Sequence, residues 1–163
     1  MRANTKNKPN TRQGIVTAMM AVGCVIEEGS SKERVAFSYG GMHYLAVHSE
    51  EAGYLCVVLL PFCEVSGFPS LAAANEVMNE LNAKVKLARV WIDDGDVLAS
   101  AETLLGSDMT AENAIKTLLL SLQNIYTETR VRQKFSQLQD QQMAKFESGA
   151  STEPTSPGDV AVH

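Results

Sequence analysis

The segment from Ser70 to Met109 constrains the fold of this chain more than any other part of the sequence. It reads SLAAANEVMNELNAKVKLARVWIDDGDVLASAETLLGSDM. A serine suited to cap a helix precedes apolar residues at helical spacing, and two alternating stretches then flank Asp94-Gly95. Asp-Gly in that position is typical of a two-residue hairpin turn. The segment therefore predicts a helix, a β-hairpin and the beginning of another helix.

The residues before this segment predict one helix, three full strands and one stretch suited to a further short strand. Helical spacing predicts a helix over about residues 11–22, and residues 24–27 are suited to a short strand. Gly40-Gly41 lies between two alternating stretches and predicts a hairpin. Residues 54–60 (YLCVVLL) are apolar on both faces, which is typical of a central strand whose faces are both covered at least in part.

Two further boundaries follow from individual residues. Pro61 lacks a backbone N–H, so we expect it to end the central strand, with a loop over 61–69. Thr110 is suited to cap the last helix. Six residues form the predicted buried stripe of that helix: Ile115, Leu118, Leu119, Leu122, Ile125 and Tyr126.

The sequence becomes polar after Tyr126, and we expect the helix to continue beyond the domain body. Apolar residues recur there only at loose helical spacing: Val131, Phe135, Leu138, Met143 and Phe146. The predicted organisation is a disordered N-terminus over 1–10, a single α/β domain with a long C-terminal helix over 11–146, and a disordered tail over 147–163.

Composition limits the classes of partner. The 163 residues carry a net charge of −5, which opposes nucleic-acid binding, and no apolar run reaches the ~20 residues of a membrane span. The three cysteines, Cys24, Cys56 and Cys63, show no CxxC pattern. We interpret them as small core residues of a protein in a reducing compartment, so a cytoplasmic location is expected.

One alternative places the chain in the cell envelope. Basic residues precede the apolar run 15–22, and Gly23-Cys24 follows it, as in a bacterial lipoprotein signal. Against this, the leader is long, the run contains Thr17 and no leucine, and Ala21 replaces the usual larger aliphatic residue. The favoured interpretation is a helix of the mature protein.

No pattern in the sequence indicates a catalytic, cofactor or metal site. The acidic run Asp93–Asp96 fits a hairpin turn better than a calcium loop, because position twelve of such a loop would be Leu104. His43 and His48 are five residues apart on one predicted strand and therefore point to opposite faces. We predict that the protein is not an enzyme and needs no cofactor.

The second hairpin carries the most suggestive surface. Its Ala88, Val90 and Ile92 suit a core under helices, which leaves Leu87, Arg89 and Trp91 on the opposite face of the sheet; Tyr44 is expected to share that face. An aromatic residue beside arginine on an open sheet is typical of a protein interface, such as a partner or dimer contact. The alternative is that another segment of the same chain covers this face.

The order of elements resembles that of the YbjN-like family, bacterial proteins described as sensory-transduction regulators. The resemblance rests on FSYGGMHYLAVHSEEAGYLCVVLLP and on AANEVMNELNAKVKLARVWIDDGDVLASAETLL, which includes Asn75, Asn79 and Asn82. It covers roughly residues 11–126. It implies an α+β fold of the type III secretion chaperone-like kind, with order α-β-β-β-α-β-β-α and an antiparallel sheet of about five strands.

The functional expectation follows from this resemblance and from the lack of chemistry. The leading hypothesis is a non-catalytic module that binds a protein partner or client of unknown identity, regulatory or chaperone-like, as a homodimer. The tentative partner-binding residues are Tyr44, Leu87, Arg89 and Trp91. The rival hypotheses are a lipoprotein-type, small-ligand-binding domain of the cell envelope and an enzyme of unrecognised type.

Overall fold

The computed structural model describes residues 11–106 and 108–149, which form an antiparallel sheet and three α-helices. The elements follow one another as α1 (Arg12–Val22), β1 (Val25–Ile26), β2 (Arg34–Tyr39), β3 (Met42–Ser49), β4 (Tyr54–Glu64), a 3₁₀ turn (Val65–Gly67), α2 (Leu71–Lys84), β5 (Ala88–Asp93), β6 (Asp96–Leu104) and α3 (Ala111–Gly149). The predicted α+β class and antiparallel sheet are confirmed. The predictions for 1–10 and for 150–163 lie outside the described residues, and 147–149 belong to α3.

The sheet has six strands in the order β1-β2-β3-β4-β6-β5, and every neighbouring pair is antiparallel. The expected count of about five is therefore low by one. The additional strand is β1, only two residues long, which pairs Val25 with Ser38 and Ile26 with Phe37. It lies within residues 24–27, which are suited to a short strand in the sequence but were not counted among the five.

The two predicted hairpin turns have the backbone that their residues favour. Gly40 and Gly41 have φ angles of 59° and 77°, and they connect β2 to β3. Asp94 and Gly95 have φ angles of 46° and 87°, and they connect β5 to β6. Positive φ at both central residues is the geometry whose twist matches a β-hairpin. The acidic run is therefore a turn, as predicted.

Pro61 does not end the central strand, and this prediction was wrong. Strand β4 continues to Glu64, and its register with β6 shifts between Leu59 and Cys63. Pro61 falls inside that shift, where no ladder hydrogen bond from its nitrogen is required. The irregularity thus allows a proline in an interior strand, and only the part after Glu64 is a turn.

One face of the sheet forms the core. Its twelve most buried strand residues are at most 1% exposed: Val35, Phe37, Tyr44, Ala46, Leu55, Val57, Leu59, Ala88, Val90, Val97, Ala99 and Ala101. Helix α3 packs against β4, β5 and β6, while α2 packs against β5 and α3, and α1 packs against α3. We call this helix-covered side the covered face.

Helix α1 is part of this core. Ile15 and Met19 are fully buried, and Gly23 ends the helix with a φ of 99°. The N–H of Cys24 donates to the Met19 carbonyl at 2.9 Å, which fixes the end of the helix. Processing at Cys24 would remove both buried side chains from the core. No helix among the described residues is long and apolar enough to cross a membrane.

Helix α2 closes the outer edge of the sheet through one asparagine. Asn82 donates from Nδ2 to the Val90 carbonyl at 2.8 Å and accepts from the Val90 N–H at 2.9 Å. Strand β5 lies at the end of the sheet, so these backbone groups would otherwise lack a strand partner. The contact holds β5 in place and blocks this part of the edge.

We predict that Asn82→Ala lowers the free energy of unfolding by about 1–3 kcal/mol, because it leaves two backbone groups of β5 unpaired. Urea denaturation measures the change. Asn79→Ala is the matched control, since Asn79 is exposed on the same helix, as Asn82 is, but the hydrogen bonds to Val90 come from Asn82. Equal losses in the two variants would contradict the assigned role of Asn82.

We predict that Gly95→Val costs about 1 kcal/mol or more, because a β-branched residue is strained at positive φ. Gly106→Val is the control, since Gly106 has an ordinary φ and open space around it. Thermal melting with and without calcium measures both effects. A calcium-dependent rise in the melting temperature of the wild-type protein would contradict the assignment of 93–96 as a plain turn.

We predict that the protein loses stability at alkaline pH, because two ionisable side chains, Tyr44 and Cys24, are buried in the core. Burial raises the pKa of Tyr44 to about 12, with nearby Cys24 adding to the effect, and it raises the pKa of the Cys24 thiol to about 11. Their ordinary values are 10.0 and 9.0. Because the folded state favours the protonated forms, their contribution is complete below pH 9 and is lost as the pH rises through 9 to 12.

The measurement is the melting temperature of wild-type protein and of Tyr44→Phe/Cys24→Ala between neutral and alkaline pH. The wild-type protein should lose more stability above pH 9 than the variant, in which neither group can ionise. Parallel curves would show that these two groups do not couple to folding.

Candidate protein-binding surface

The face of the sheet opposite the helices is apolar and open to solvent. We define the open face by six side chains that are only partly buried or exposed: Leu45, Val47, Cys56, Val58, Trp91 and Leu98. They alternate along their strands with the residues of the covered face. The sheet therefore separates two apolar surfaces, and the described helices pack on one of them.

The strand register makes the open face continuous. Trp91 pairs with Leu98 across β5 and β6, and Val58 pairs with Leu45 across β4 and β3. Ser100 joins the two pairs, because it lies opposite Val58 and is two residues from Leu98. Neighbours across an antiparallel ladder lie within contact distance of each other. The open face thus runs from the β5 edge across the middle of the sheet, with the polar Ser100 between its two apolar pairs.

The three predicted residues of the second hairpin are exposed. Arg89 and Trp91 lie on the open face, and Trp91 is 37% exposed. Leu87 is 49% exposed and immediately precedes β5. The guanidinium of Arg89 has no hydrogen-bond partner among residues 11–106 and 108–149, so it is free to bind an external acceptor.

Tyr44 lies on the covered face, and its predicted place beside Trp91 was wrong. It pairs with Leu59 across β3 and β4, and it stacks on Phe37 with ring centroids 5.2 Å apart. Leu59 pairs with Ala99 on β6, and Ala99 pairs with Val90 on β5. Tyr44 is therefore in the same row as Val90, a core residue, and not on the face of Trp91. Both faces of β3 are apolar, so alternation alone could not decide which of them faces the helices.

Polar groups surround the apolar centre of the open face. The Tyr54 hydroxyl donates to Glu102 Oε2 at 2.6 Å, and this hydrogen bond is the main reason that the pKa of Tyr54 is raised. His43 Nδ1 lies 2.8 Å from Glu27 Oε1 near the β1 edge. An apolar centre with a polar rim is the usual anatomy of a protein interface.

The described residues offer little for catalysis. Burial raises the pKa of Cys24, Cys56 and Cys63, so all three thiols are protonated at neutral pH and are weak nucleophiles. His48 is buried on the covered face, away from the exposed His43, as the five-residue spacing predicted. No group of three or more potential metal ligands occurs among the described residues.

A cleft of about 720 Å³ lies where β3 and β4 meet the start of α1. Its lining includes charged residues of both signs, the basic Arg12 and Lys32 and the acidic Glu33, Glu50 and Glu51. The remaining lining residues are Val47, His48, Ser49 and Tyr54. The Nδ1 atom of His48 has no hydrogen-bond partner among the described residues. Small-molecule sites are mostly apolar and enclosed, with a few converging polar groups, so this open and mixed-charge cleft is a poor match.

Sequence reasoning identified one edge of the open face and missed its centre. Leu45, Val47, Val58 and Leu98 were not among the predicted site residues. The signal was present in residues 54–60, whose apolar side chains on both faces require a second apolar surface on the sheet. Combining that strand with Trp91 would have indicated the wider surface.

Comparisons with known proteins support the fold and identify the family. The crystal structure of YbjN from E. coli, described as "a putative transcription regulator", has a TM-score of 0.52 and 10% sequence identity. The alignment covers 71% of this chain and 86% of that one, and at this identity it supports the fold alone. No curated protein sequence matches the chain. The family model YbjN, "Putative bacterial sensory transduction regulator", matches residues 12–126. Since that match spans more than half of the sequence, the chain belongs to the YbjN family.

Proposed function

We propose that this protein is a non-catalytic protein-binding module of the cytoplasm, regulatory or chaperone-like, that acts as a homodimer. The observation that carries the proposal is the apolar open face, which the described helices leave uncovered. The description of the family as a regulator of sensory transduction supports a regulatory role. The three cysteines, Cys24, Cys56 and Cys63, form no disulfide, which supports a reducing compartment.

The shape and charge of the open face favour a polypeptide as its occupant. A sheet surface is broad and shallow, so it suits the side chains of another protein better than it encloses a small molecule. The net charge of −5 opposes nucleic acid, whose phosphates require a basic surface. Exposed apolar patches of this kind on soluble domains mark protein contacts.

The residues of the open face indicate the chemistry of the partner. Leu45, Val58 and Leu98 provide an aliphatic surface for apolar side chains, and Trp91 adds a broad aromatic anchor at one end. Arg89 is two residues from Trp91 in β5, so both side chains lie on the same face of the sheet. The Arg89 guanidinium can bind a carboxylate or a carbonyl there. We therefore propose an amphipathic protein segment with an acidic or carbonyl group near its aromatic contact.

We predict that Trp91→Ala weakens partner binding by at least about tenfold, because aromatic anchors often contribute more than 1.4 kcal/mol to an interface. The fold should lose much less, since Trp91 keeps more than a third of its surface exposed. The measurement is quantitative mass spectrometry of proteins retained from a host extract, combined with thermal melting of the purified chains.

The matched control is Leu71→Ala, because Leu71 is exposed on α2, away from the sheet. It should retain the same proteins as the wild-type chain. A loss of several kcal/mol in Trp91→Ala with unchanged binding would show that Trp91 is an ordinary packing residue. In that case the open face would not be the binding surface.

A further inference from the structure

Helix α3 extends well past the core that holds its first half. It has 39 residues, about 58 Å at 1.5 Å per residue, and its last buried side chains are Thr129 and Gln133. Two contacts hold the next turns: Arg132 Nη1 donates to Glu80 Oε2 at 2.5 Å, and Gln137 Nε2 donates to the Gly67 carbonyl at 2.5 Å. Residues 142–149, the last eight of the helix, are all exposed.

This distal part of α3 carries an apolar stripe with no contact to the core. We define the distal stripe as Val131, Phe135, Leu138 and Phe146, with Met143 beside it; all five are 56 to 83% exposed. At 3.6 residues per turn the first four lie within about 80° of one another. The buried Thr129 and Gln133 lie on the opposite side of the helix. The distal stripe therefore points away from the sheet.

Both the helix and the stripe are costly without a partner. Most of the stability of a helix in a protein comes from tertiary packing, and the turns after Gln137 have little support from the body of the protein. Phe135 and Phe146 are also more than half exposed, so the free energy that burial of their rings would provide is not gained. A regular stripe on a long helix is typical of helix-to-helix pairing.

A second copy of the same helix fits the distal stripe best. The position between Leu138 and Phe146 on this side is Gln142, so the centre of the stripe carries no charge. Covering it in both copies would bury roughly 1,000 Å², about what a specific interface needs.

We infer that residues 131–146 of α3 pair with the same segment of a second copy, and that this pairing is the dimer contact. The inference rests on the proposed homodimer and adds its location. It leaves the open face of each protomer free for a different protein, because α3 covers the other side of the sheet. This contact lies outside residues 12–126, the part matched by the family model.

Sedimentation velocity of the full chain over a micromolar concentration series tests the inference. Wild-type protein should be dimeric, and Leu138→Glu and Phe135→Glu should each raise the dimer dissociation constant at least about tenfold. Leu71→Glu is the matched control, because Leu71 lies on a different helix but is exposed to nearly the same extent as Leu138, 58% against 56%. Near-ultraviolet circular dichroism checks that each variant keeps its core.

The outcomes separate this inference from the binding role of the open face. A dimer that persists in Trp91→Ala and dissociates in Leu138→Glu supports pairing through α3. A monomeric wild-type protein, or a dimer that survives both α3 substitutions, overturns it. So does a dimer that dissociates in Trp91→Ala alone, because the open face would then be the dimer contact. Partner capture by the monomeric Leu138→Glu variant would leave the protein-binding proposal standing.

Discussion

The packing of α3 against the covered face is the interaction on which the rest of the structure depends. Large side chains of the helix, Ile115, Leu118 and Leu122, are buried against strands whose inward residues include Ala99 and Ala101. Small residues on a sheet allow a helix to approach closely, so apolar surface is removed from water without voids. Helices α1 and α2 both pack against α3, so their positions depend on it.

This arrangement concentrates the helices on one side and determines what remains exposed. A sheet with helices on one face and apolar residues on both faces leaves its second face available for contact. The first half of α3 is used for the core, and its second half has free sides beyond the sheet. Two apolar surfaces result, the open face and the distal stripe, and they lie on different elements. The two proposed interactions are therefore separable by substitution.

Local signals in the sequence predicted most of the elements. Ser70 and Thr110 cap their helices by accepting from backbone N–H groups, and Gly40-Gly41 and Asp94-Gly95 form the predicted turns. Each of these depends on neighbours a few residues away. The errors concern long-range pairing: which face of β3 meets the helices, and how β4 passes Pro61 through a register shift. Such features depend on partners that lie far away in the sequence.

The central claim, that the open face binds a protein, can be tested at the centre of that face. A photoreactive phenylalanine analogue in place of Leu98 should form a covalent adduct with a protein other than a second copy when host cells are irradiated. The same analogue in place of Leu71, on the outside of α2, provides the comparison. If the open face binds a protein, position 98 should give a discrete heavier adduct and position 71 should give none. Adducts from position 71 alone, or none from either position, would contradict it.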